Sequence, residues 1–108
     1  MTVNEFANKN SIKVLCLPDG DREIKGGYVG DLLSWVMGRA REDDAWITIM
    51  SNTNVLAVAS LADVSCVIFA EGVEPDKDFI ETAKQKAINL LSTEKNSFEI
   101  AAVVASQI

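Results

Sequence analysis

Residues 46–70 read WITIMSNTNVLAVASLADVSCVIFA. Trp46-Ile47-Thr48-Ile49-Met50 suits a strand, and a polar break at Ser51-Asn52-Thr53-Asn54 follows it. Asn54 to Asp63 then carries Val55, Leu56, Val58, Ala59, Leu61 and Ala62, a helix apolar nearly all round and so expected to be buried. Cys66-Val67-Ile68-Phe69-Ala70 is a second strand. Apolar residues on both faces of the strands, alternating with helices, indicate a mainly parallel sheet covered on both sides. The polar break also rules out a single membrane span over Ala45–Ala62.

The pattern extends in both directions. Downstream, Pro75 opens a helix with Glu74, Asp76 and Asp78 at its start and Lys84 and Lys86 at its end, as the macrodipole favours. Phe79, Ile80, Ala83 and Ala87 form its inner face. Ile88-Asn89-Leu90-Leu91 is a third strand, and Ser92-Thr93 caps a final helix through Phe98, Ala101, Ala102 and Ala105. Upstream, Thr2-Val3-Asn4-Glu5 fits a capping box, and Asn8-Lys9-Asn10 ends that helix. Ile12 to Leu17 is a strand stopped by Pro18-Asp19-Gly20. Ile24 to Val29 forms a short extended segment. Asp31 is an N-cap for a helix whose apolar face is Leu32, Leu33, Val36, Met37 and Ala40, with Arg39 and Arg41 in its last turn. The expectation is one α/β domain over 1–108, with a mainly parallel sheet of about four to five strands and helices on both faces.

The totals exclude several activities. The 108 residues carry a net charge of −6, and the ten basic residues are scattered without a basic stripe, so nucleic acid is not an expected partner. The first residues lack the basic and apolar segments of a signal peptide, and a cytoplasmic location is expected, with no membrane partner. Cys16 and Cys66 each lie in an apolar run and read as buried reduced thiols. There is no histidine, which removes the commonest general base, the commonest metal ligand and the histidine-activated nucleophiles. Neither a G-x-x-x-x-G-K-[ST] loop nor a G-x-G-x-x-G loop is present. No cofactor and no resident metal are expected.

In a parallel sheet, ligands sit outside the carboxyl ends of the strands. Those ends are Ser51-Asn52-Thr53-Asn54, Glu71-Gly72 and Ser92-Thr93, and the first and third are read as leading directly into helix N-termini, whose free N–H groups attract anions. Ser51-Asn52-Thr53 is the foremost binding candidate, against simple helix capping. Arg22 either binds an anion through its planar fork or pairs with a remote acid. Gly26-Gly27 is a backbone kink or a phosphate cradle. Arg22, the glycine pair and the helix after Asp31 are expected to close over the strand ends. Tyr28 and Trp35 are interface candidates, and an exposed Trp35 would mark a partner surface.

Taken together, Asp21-Arg22, Gly26-Gly27-Tyr28-Val29, Asp31-Leu32-Leu33-Ser34, Trp46-Ile47-Thr48, Val58 to Asp63, Glu71-Gly72 and Leu91-Ser92-Thr93 resemble the DRTGG domain over roughly residues 12–100. Lys25 stands where that family often has threonine. The resemblance implies a fold related to the N-terminal domain of HPr kinase/phosphorylase and to the uridine-nucleotide-binding N-domains of Mur ligases. It implies a regulatory or dimerising module, as found beside CBS domains in regulated pyrophosphatases. Kinase chemistry does not transfer, because it resides in a separate P-loop domain. The expected function is therefore a non-catalytic module that self-associates as a homodimer or docks on a partner enzyme, and senses a small anionic ligand such as a nucleotide. The alternatives are a purely structural homodimer or docking subunit, and an enzyme using Asp21, Asp31 or Glu71 as base or Mg²⁺ ligand.

Overall fold

The computed structural model describes all residues 1–108. In chain order the elements are α1 (Val3–Lys9), β1 (Lys13–Cys16), β2 (Gly26–Val29), α2 (Leu33–Arg39), β3 (Asp44–Thr48), α3 (Asn54–Ala62), β4 (Cys66–Phe69), α4 (Lys77–Gln85), β5 (Leu90–Ser92) and α5 (Ser97–Gln107). One five-stranded sheet has the order β1-β5-β4-β3-β2. Strands β2 to β5 are mutually parallel, and β1 joins β5 antiparallel.

The strand side chains sort by parity into two cores, as the pleat requires. Trp46, Val67, Phe69 and Leu90 face one core with Val36 of α2, Val55, Leu56, Val58 and Ala59 of α3, and Phe79 and Ala83 of α4. Ala45, Ile47, Cys66, Ile68 and Leu91 face the other with Val3, Phe6 and Ala7 of α1 and Ile100 and Val104 of α5. Every residue of β3, β4 and β5 is buried. This explains why these strands read as near-continuous apolar runs.

The strand order has a consequence for ligand sites. From β5 to β2 the sheet runs 5-4-3-2, so successive parallel strands always add on the same side. The three crossover helices α2, α3 and α4 accordingly share one face, and the other is covered by α1 and α5 from the two ends of the chain. A doubly wound sheet forms its ligand crevice where the strand order reverses. The parallel part of this sheet has no such reversal.

Several local assignments differ from the sequence reading. Asp31 does not cap α2: the N-cap is Leu32, without a side-chain bond. The Asp31 carboxylate accepts instead from Thr48 Oγ1 (2.7 Å) and the Ile49 N–H (2.9 Å), tying the end of β2 to the end of β3. Leu32 and Met37 are exposed rather than packed, and Arg41 lies beyond the Ala40 C-cap. Strand β3 begins two residues earlier than expected, at Asp44, and ends at Thr48. Ser92 and Thr93 do not cap α5. Asn96 does, in a capping box with Glu99, while Ser92 lies in β5 and donates to the Val73 carbonyl. Ala87 is exposed with φ +58°, past the end of α4. Helix α5 faces the sheet with Ile100 and Val104, leaving Ala102 and Ala105 exposed and Phe98 83% exposed.

Candidate functional site

The expected site residues fall at opposite ends of the sheet. Arg22 and Gly26-Gly27 lie at the amino ends of the parallel strands, whereas Ser51 to Asn54, Glu71-Gly72 and Ser92-Thr93 follow the carboxyl ends. The expected closure of Arg22 and the glycine pair over Ser51-Asn52-Thr53 is therefore not formed, since β3 separates them along its length.

Arg22 is already engaged. Its Nε donates to Asp43 Oδ1 at 2.9 Å, and its terminal nitrogen meets Asp63 Oδ1 at 2.8 Å and donates to the Asp63 carbonyl. Asp43 and Asp63 are both in the left-handed region, at φ +67° and +58°, which aspartate tolerates better than most residues. Asp43 immediately precedes β3, and Asp63 ends α3. The Asp43 N–H also donates to the Asp63 carbonyl at 3.0 Å. Arg22 thus clamps two tight turns together. Its own loop is held by α1, whose first free N–H groups are satisfied by it: Val3 donates to the Arg22 carbonyl and Asn4 to the Gly20 carbonyl.

This clamp is titratable. The hydrogen bond from Arg22 is the main influence holding the Asp43 carboxyl below its ordinary value; desolvation opposes it, and the Arg22 and Lys25 charges add to it. A carboxylate lowered in this way stabilises the fold above its unfolded pKa of about 4, and the contribution fades as pH falls through the folded value. Replacing Arg22 by alanine is expected to cost about 1–3 kcal/mol at neutral pH. In urea titrations the gap from the parent protein should narrow below about pH 4. A gap unchanged from neutral to acid pH would contradict the clamp.

Gly26 and Gly27 play different parts. A Cβ on Gly26 would lie 2.5 Å from Oδ1 of the buried Asp44, so the glycine makes room for that carboxylate. The other Asp44 oxygen accepts from the Arg41 N–H at 2.8 Å. A Cβ on Gly27 would meet only ordinary contacts, 3.6 Å from the Ala45 carbonyl and 3.7 Å from Val104. The glycine pair, Tyr28 and Asp44 border a polar cleft of about 430 Å³ that also takes in Lys25, Arg39, Arg41 and Glu42. Three of the chain's ten cations meet there. Arg39 stacks over the Trp35 ring at 4.1 Å, and Lys25 lies 3.5 Å from Asp43. Arg39 and Arg41 make no ion pair. The sequence shows these cations as scattered. Only the approach of the end of α2 to β2 gathers them.

The carboxyl-end groups do not converge. Ser51 to Asn54 are all exposed and border none of the surface clefts. Asn52 Oδ1 accepts from the Asn54 N–H, and Thr53 makes no side-chain cap. Glu71 adopts φ +61° and donates its N–H to the Lys95 carbonyl. Gly72, at φ +72°, lies under the Glu94 carboxylate. Ser92 and Thr93 border a separate polar cleft of about 400 Å³ with Lys13, Glu74, Glu94 and Lys95, where Lys13 pairs with Glu74 at 2.9 Å. Trp35 is 54% exposed, and Tyr28 is half-buried beside the α2–α4 core. Cys16 and Cys66 are free and buried, and burial pushes the Cys66 thiol up to about 12. No helix is long and apolar enough to cross a membrane.

A singly wound α/β sheet, closed at its amino edge by an arginine clamp and bordered by polar clefts, is the architecture of a small α/β module. The DRTGG domain profile matches residues 21–107, and the chain belongs to the DRTGG domain family. Among curated proteins no sequence matches at a significant level. Among solved structures, the chain is similar to the CBS and DRTGG domains of the regulatory region of Clostridium perfringens pyrophosphatase, complexed with its activator diadenosine tetraphosphate. The TM-score is 0.76 at 20% identity, over 95% of this chain. The chain spans 45% of the length of that structure.

Proposed function

We propose that this protein is a non-catalytic regulatory module that senses a small anionic ligand, such as a nucleotide, and self-associates. The observation that carries the ligand half is the gathering of Lys25, Arg39 and Arg41 around the glycine pair in a chain of net charge −6. Arginine forks without ion-pair partners suit phosphate or carboxylate oxygens. The cleft over the glycine pair sets three cations against Glu42 and Asp44 and so keeps an excess of positive charge. The cleft at Ser92-Thr93 balances two lysines against two glutamates. A regulatory reading agrees with the similarity to a pyrophosphatase regulatory region, and with the lack of histidine and of a P-loop. A purely structural homodimer or partner-docking subunit is the second reading, favoured by the exposed Leu32, Trp35 and Met37 on and beside α2.

Thermal shift against adenine and uridine nucleotides and inorganic pyrophosphate tests the ligand half. At ten times Kd a ligand raises the midpoint by about 5 °C or more in a domain of this size. The rise should vanish in the Arg39→Ala/Arg41→Ala double variant and persist in Thr93→Ala/Lys95→Ala. The opposite pattern moves the site to the carboxyl-end cleft. No rise at millimolar concentrations for any probe favours the second reading.

A further inference from the structure

We propose that two copies of this chain join edge to edge through β2, antiparallel, about a two-fold axis at Tyr28. This rests on the self-association put forward above and assigns it a surface and a register.

The two edges of the sheet differ in kind. Strand β1 is a blunted edge: its register slips between Val14 and Cys16, Lys13 is ion-paired with Glu74, and Pro18 follows shortly after it. Bulges, charges and proline are the usual devices that stop an edge strand from pairing. Strand β2 pairs only with β3, and its own four residues, Gly-Gly-Tyr-Val, carry no charge, proline or register slip.

The same strand carries a hole and a knob on one face. A Cβ at Gly27 would meet only ordinary contacts, so the close approach of this copy's own atoms does not demand glycine there. Beside it runs an apolar groove of about 210 Å³ between β2 and α5, bordered by Val29, Ile47, Ala101, Val104 and Ala105, with Ile108 at its end. Val29 is two residues on, on the same face, and 49% exposed. Antiparallel pairing centred on Tyr28 sets Gly27 of each copy opposite Val29 of the other. Directly opposed residues point to the same face. Each valine then fills the space over the facing glycine, against the small side chains of α5, and the half-exposed Ile108 is covered as well.

Self-complementarity selects a second copy as the occupant. A hole and a knob two residues apart are satisfied together only by the same strand running the other way. Charge agrees with this direction. The pairing brings Lys25, whose side chain is 69% exposed, near Asp31 of the second copy, where Thr48 and Ile49 engage only one carboxylate oxygen. A parallel arrangement would place like charges together.

Sedimentation equilibrium of the full chain from about 5 to about 200 µM tests this, because a dimer dissociates on dilution. Val29→Lys, which adds a charge to the open edge, and Gly27→Val, which fills the hole from its own side, should each raise the dimer Kd by at least about 100-fold. Circular dichroism should show both still folded. Trp35→Lys on α2 should leave Kd within about threefold. If the parent protein is a monomer throughout, self-association fails and this proposal with it. If Trp35→Lys breaks the dimer while Val29→Lys and Gly27→Val keep it, self-association stands and the β2 edge is not its surface.

Discussion

Alanine at position 46 is expected to cost the domain about 3–5 kcal/mol, a large part of what holds a domain of this size together. Trp46 is fully buried in the centre of β3, where it contributes the largest side chain of the core shared with α2, α3 and α4. Its Nε1 donates to the Gly30 carbonyl at 2.9 Å, which fixes the chain just after β2. Truncation therefore leaves both a cavity and an unpaired carbonyl. Phenylalanine separates the two effects. It keeps most of the volume while removing the donor, so its cost should fall to about 1–2 kcal/mol. Urea unfolding at neutral pH measures both, and an alanine variant within about 1 kcal/mol of the parent would refute this account of the core.

Asn89→Leu is the second large effect. Asn89 is 1% exposed at the entrance to β5. Its Oδ1 accepts from the Asp19 N–H at 2.9 Å, and its Nδ2 donates to the Asp19 carbonyl at 2.8 Å and the Ser65 carbonyl at 2.9 Å. One buried amide therefore joins the loop before Arg22 to the turn before β4. Leucine would strand these backbone groups, at an expected cost of about 3 kcal/mol. Hydrogen exchange should show the Asp19 amide losing protection before the amides of β3. Unchanged protection at Asp19 would mean that the loop is held by something else.

Much of the architecture is legible in the sequence because both cores follow simple periods. In β3, β4 and β5 the apolar residues serve two layers, so runs such as Cys66-Val67-Ile68-Phe69 show no polar face. The phase of α5 is harder to read, because Phe98, Ala101 and Ala105 compete with Ile100 and Val104 for the inner face. The cap of that helix was available as Asn96-x-x-Glu99, a local signal three residues beyond the more conspicuous Ser92-Thr93. Asp31 is different. Its position suits a helix cap, but its carboxylate is taken by Thr48 and Ile49, 17 and 18 residues away. Arg22 is read no better locally, since its partners lie 21 and 41 residues on. The cationic cleft was likewise hidden: Lys25 and Arg41 are neighbours only once β2 lies beside the end of α2.

Two helices from opposite ends of the chain share one face of the sheet. Asn10, at the end of α1, and Gln107, at the end of α5, exchange reciprocal amide hydrogen bonds of 2.8 and 2.7 Å across 97 residues. During vectorial synthesis this layer is finished last. The strands and crossover helices can assemble as they emerge, but Ala45, Ile47 and Ile68 keep part of their cover open until residues 97–107 have been made. Once the layer has closed, α1 and α5 are tied to each other, so loosening of either helix loosens the other, and the two open as one cooperative unit.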